Sequence, residues 1–126
     1  MQEQIIENLQ LAVRSFFTDK AMRENLVSYA MDCNNCDFDE YFDLNAVTSI
    51  VAATLKNQMP EINFKESFLG CIASNAFTAV SYHNIRNIYS NADSILADAK
   101  AIDVNAISES ELIQSVVSEI VQHQAK

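Results

Sequence analysis

A chain of 126 residues, 49% of them hydrophobic, is long enough to bury a core of its own and corresponds to one domain over residues 1–126. Glycine and proline occur once each, as Gly70 and Pro60, so the chain lacks both the turn residues of hairpin-rich β folds and doubly wound α/β folds and a Gly-rich phosphate loop. With 17 acidic and 8 basic residues the net charge is −9, which opposes binding to a nucleic-acid backbone or an anionic membrane and admits a basic protein partner.

The expected fold class is all-α: a single bundle of five to six helices. Ile5, Leu9, Val13 and Phe16 recur at helical spacing, with Glu3, Glu7 and Arg14 off that face, which predicts a first amphipathic helix over residues 2–17. Thr18 or Asp19 can cap a second helix carrying Met22, Leu26, Tyr29 and Cys33. Asn34 and Asn35 end it, since Asn tolerates the left-handed conformation of a C-cap. Residues 36–43 then read as a loop with one helical turn.

A third helix over residues 44–58 carries Val47, Ile50, Val51, Thr54 and Leu55, and Pro60 closes it. Asn63 and Glu66 have the spacing of an N-terminal capping arrangement and open the longest segment, residues 64–89. Leu69, Ile72, Ala73, Ala76, Phe77, Val80 and Ile88 line one face of it, and Phe68, Cys71, Ala79 and Tyr82 widen that face. A helix so broadly apolar belongs at the centre of a bundle, and its breadth also allows a homo-oligomer. Ser90 or Asp93 starts a fifth helix over residues 91–102, with Ile95, Leu96, Ala99 and Ile102. Ser108-Glu109-Ser110-Glu111 has the capping-box pattern, with Ile107 placed to staple onto Leu112. Leu112, Val116, Ile120 and Gln124 follow every four residues along the last helix, flanked by Ile113, Val117 and Val121.

No apolar run approaches the ~18 residues of a membrane span. The N-terminus has no basic region of the signal-peptide type, and three cysteines, an odd number, fit a reducing compartment; cytoplasmic location is the expectation. Cys33 and Cys36 have the spacing of half a zinc site, but Cys71, His83 and His123 are scattered singly where a second close pair belongs. An EF-type loop begun at Asn35 would set Asp37 and Asp39 correctly. It then has Glu40 in place of the glycine that bends the loop and Ala46 in place of the bidentate Glu. No metal or cofactor is expected, and no Gly-flanked nucleophile elbow organises a catalytic serine.

Two regions stand out as candidate sites. From Asp32 to Asp43 there are five acids, no base and three aromatics. Aromatic anchors within an acidic rim suit a protein partner that carries basic groups, because aromatics supply contact energy and charge steers encounter. The candidate partner-binding residues are Asp37, Phe38, Asp39, Glu40, Tyr41, Phe42 and Asp43. A non-enzymatic adaptor, inhibitor or immunity-type protein is the leading expectation. The competing reading packs Phe38 and Phe42, four apart, inward with Tyr41 half covering them.

The second region is Ser81-Tyr82-His83-Asn84-Ile85-Arg86-Asn87. The order His, any residue, aliphatic, basic resembles the phosphoacceptor helix of histidine phosphotransfer domains, which are acidic helical bundles of about this size. The match covers residues 83–87 alone; Asn87 stands where that family has a small residue, usually Gly, and no Ala precedes the His. The resemblance implies an exposed His83 as phosphoacceptor and Arg86 as the group that steadies the phosphoryl oxygens. The simpler alternative is a surface or half-buried histidine that makes one hydrogen bond.

Overall fold

Carboxylates and hydroxyls set most of the helix starts. Asp19 Oδ1 accepts from the Ala21 amide at 3.0 Å, Asp43 Oδ1 from Asn45 at 3.0 Å, Asp98 Oδ1 from Lys100 at 2.9 Å and Ser110 Oγ from Ile113 at 3.2 Å. Each satisfies one of the amides that the first turn leaves without an intrahelical partner. The computed structural model describes residues 1–32 and 40–125, without the side chains of Arg86, Gln124 and Ala125. All regular elements among them are helical: α1 (Gln2–Phe16), α2 (Lys20–Met31), α3 (Leu44–Gln58), α4 (Glu66–Ala97), a 3-10 helix (Ala99–Ala101), α5 (Ala106–Glu109) and α6 (Glu111–Ala125).

The all-α expectation holds, but its count of five to six is corrected to seven helical elements among the described residues. Segments expected as separate fourth and fifth helices run together as the 32-residue α4. The break between them survives as a kink, where Asn91 takes non-helical torsions (φ −139°, ψ 38°). Ser90, Asn91 and Asp93 are of the residue types whose side chains can take over backbone hydrogen bonds, which disfavours a helix at that point. The tail expected to continue this helix to residue 102 tightens instead into the 3-10 helix.

The expected last helix starts later, as α6 at Glu111, behind the short α5. Ser108 is not its cap: the Ser108 hydroxyl donates to the Asn105 carbonyl at 2.9 Å within α5, and Ser110 caps α6. The staple is corrected with it. Ile107 is buried, but Leu112 stands 57% exposed and Ile113, Val117 and Ile120 form the inward stripe. At the other end of α4 the N-cap position is Lys65, with no side-chain bond, so Asn63 lies two residues ahead of the cap.

α4 is the central element. It packs against α1, α2, α3, α5, α6 and the 3-10 helix, and α1 lies along α3. Leu69, Ile72, Ala73, Ala76, Phe77, Val80 and Ile88 are all fully buried, as that face predicts. They meet Ile5, Leu9 and Val13 of α1, Leu26 of α2, Val47, Val51 and Leu55 of α3, and Ile113 and Val117 of α6 in one core cluster. Among the described residues no helix is long and apolar enough to cross a membrane.

Candidate functional site

Of the acidic and aromatic segment, Asp37, Phe38 and Asp39 lie outside the described residues, as do Cys33 and Cys36. The remainder forms the approach to α3. Phe42 is 4% exposed, its ring 4.8 Å from Phe77 and about 6 Å from Phe16 and Phe17 by centroid, so it faces the core rather than solvent. Tyr41 is half-buried. Its ring meets Tyr29 edge-on at 5.5 Å, and its hydroxyl donates to Asp32 Oδ2 at 2.9 Å. Glu40 is exposed, and Asp43 is exposed while capping α3. Residues 40–45 line a shallow recess of about 600 Å³. Phe42 thus fixes the end of the segment to the core, and Glu40 and Tyr41 sit above that anchor.

Among the described residues Lys56 and Glu66 form an ion pair at 3.1 Å, and His83 meets Asp103 at 2.8 Å, a contact that is ionic only when the ring is protonated. Asp19, Asp43 and Asp98 are used as caps. Glu24, Glu40 and Asp93 have no cationic partner among the described residues. Much of the acidic surface therefore has no cationic partner among the described residues.

His83 lies on the solvent side of α4 and faces the turn before α5. Its Nε2 lies 2.8 Å from Asp103 Oδ2, with the two side chains 41% and 35% exposed. The other oxygen, Oδ1, accepts from the Asn105 amide at 2.8 Å. That amide, foremost, holds the Asp103 carboxyl below its ordinary value of 3.8; partial burial pushes the other way, and His83 and the Arg14 guanidinium lower it further. A neutral ring that donates from Nε2 to this carboxylate keeps a lone pair on Nδ1, so the imidazole is oriented with one nitrogen left to react.

The next residue holds the turn in place. Asn84 is fully buried; its Nδ2 donates to the Val80 carbonyl at 2.7 Å and to the Asp103 carbonyl at 2.9 Å, while its Oδ1 accepts from the Asp103 amide at 3.0 Å. Arg14 adds a bond from Nη2 to the Ile102 carbonyl at 3.2 Å. Arg86 lies on α4, three residues after His83.

Sequence reasoning named His83 and missed Asp103 and Asn84. Asp103-Val104-Asn105 does carry a turn signal, an Asp side chain bonding the amide two residues on, and that could have pointed to a fixed carboxylate. Nothing in the sequence pairs it with a histidine twenty positions earlier. No group of three or more metal-ligating side chains occurs among the described residues. The chain matches no protein-family model, no curated protein and no solved structure.

Proposed function

We propose that this protein is a non-enzymatic interaction module that binds a basic protein partner through its acidic, aromatic segment, residues 37–43. The observation that carries the reading is the arrangement at the described end of that segment. Glu40, without a cationic partner among the described residues, and half-exposed Tyr41 sit beside a recess, on a backbone that Phe42 anchors in the core. Anchoring reduces the ordering cost of association, Tyr41 offers apolar area with a polar tip, and the carboxylates draw a cationic surface toward it. Phe42 acts here as the anchor, with Glu40 and Tyr41 as the contact groups.

The test begins with capture of partners from native cell extract and their identification by mass spectrometry. Replacing Asp39 and Glu40 with Lys should then slow association with the purified partner by about tenfold at low ionic strength, with the difference shrinking as salt rises. Circular dichroism should stay helical. An unchanged association rate would count against the segment as the contact site.

A second reading, phosphotransfer through His83, is favoured by the oriented, exposed imidazole. In that reaction Nδ1 attacks the phosphorus of a donor, a P–N bond forms, and the donor's leaving group departs. Phosphoramidate, which releases ammonia, should leave acid-labile phosphate on the wild type and none on His83→Gln, read by intact mass. Arg86→Ala should weaken labelling. No labelling of the wild type would remove this reading.

A further inference from the structure

Large apolar side chains that stand more than half exposed include Met31 at the end of α2 (53%) and Tyr89 on α4 (58%). Both line one recess of about 450 Å³, together with Asn91, Ala92 and Asp93. The recess lies at the place where α4 breaks at Asn91. Its walls are tied to each other, because the Tyr89 hydroxyl donates to the Ala30 carbonyl of α2 at 2.8 Å. A second recess of about 560 Å³ lies between α2 and the turn of α4 beyond the break; it shares Asp93 with the first and is lined also by Glu24, Val27 and Leu96. Neither Glu24 nor Asp93 has an ion-pair partner among the described residues, and Lys20 is the cation that lines this stretch.

We infer that this double recess seats a basic segment of the partner protein, with one large apolar side chain between Met31 and Tyr89 and a lysine or arginine at Asp93. The inference rests on the interaction reading above and extends it. Tyr41 bonds to Asp32, the residue after Met31, which ties Tyr41 to the end of α2 where Met31 stands. Methionine and tyrosine are enriched at the desolvated centres of interfaces, where aspartate and glutamate belong to the rim. Charge selects the occupant. A second copy of this chain would bring another net −9 to a face already acidic, whereas a cationic segment relieves it.

The test is a titration of the isotope-labelled full chain, followed by amide chemical shifts, with the peptide acetyl-Arg-Leu-Lys-Leu-Arg-amide at low ionic strength. The matched control has serine in place of both leucines. The leucine peptide should bind about tenfold tighter than the control, with the largest shift changes at residues 29–32 and 88–94. Met31→Ser should weaken it about fivefold, and Met31→Leu should restore it. Shift changes spread evenly over the acidic surface, or binding to Met31→Ser within about twofold of wild type, would overturn the inference. The captured partner separates the two proposals. Loss of binding on Glu40→Lys with none on Met31→Ser sinks the recess and leaves the segment standing, whereas no loss on either sinks both.

Discussion

Around Phe77, in the first half of α4, the rings of Phe16, Phe17 and Phe42 meet from α1 and the approach to α3, with centroids 4.8 to 5.6 Å from Phe77. Further along the same helix, contacts of a different kind hold its neighbours. Asn84 grips both backbone groups of Asp103. Arg23, 7% exposed, donates from Nη1 to the Phe17 and Thr18 carbonyls at 2.8 Å and from Nη2 to Leu96 at 3.1 Å. Those carbonyls lie at the ends of α1 and α4, where backbone acceptors lack helical partners and the dipole is negative. The aromatic region is held by the volume its rings fill. The polar region needs particular atoms at particular places, because a buried donor or acceptor left alone costs more than a bond gains.

Substitutions at four positions sharpen this contrast, in falling order of effect. Phe77→Ala should cost about 4 kcal/mol, since the site is fully buried and three other rings frame the cavity; Phe77→Leu should recover most of that. Urea denaturation measures both. Asn84→Ala should cost about 2 to 3 kcal/mol although it deletes few atoms, and here Asn84→Leu should not recover it, because the Asp103 amide and carbonyl stay unsatisfied. If the leucine variant were as stable as wild type, volume rather than hydrogen bonding would govern the second region too. Ser110→Ala should cost about 1 kcal/mol through the lost cap, and Ser108→Ala less, since its hydroxyl closes only the short α5. Equal losses would mean that the cap is shared.

The same contrast explains what was legible in the sequence. Periodicity located α1, α3 and the buried face of α4, because apolar burial repeats with the helix and leaves a pattern. It misjudged α6, where Leu112 fits an every-four pattern and yet points outward while Ile113 points in. Two apolar stripes one residue apart look alike until a neighbour chooses between them. Arg23 broke the rule in the other direction: an arginine four places after the capping Asp19 reads as surface, and only the meeting of two helix ends makes it core. The candidate sites divide in the same way. Composition found the acidic and aromatic segment, and a resemblance to a known family picked out the histidine motif. The Asp103 carboxylate and the Met31–Tyr89 recess depend on residues brought together across the fold.

We propose that the start of α3, the end of α2 and the kink of α4 together carry the contact with a basic protein. Hydrogen–deuterium exchange of the full chain with and without its captured partner tests it most directly. The account predicts slowed exchange at residues 29–32, 40–45 and 88–94, with little change along α6. Protection confined to α6, or to the Lys56–Glu66 side of the bundle, would contradict it.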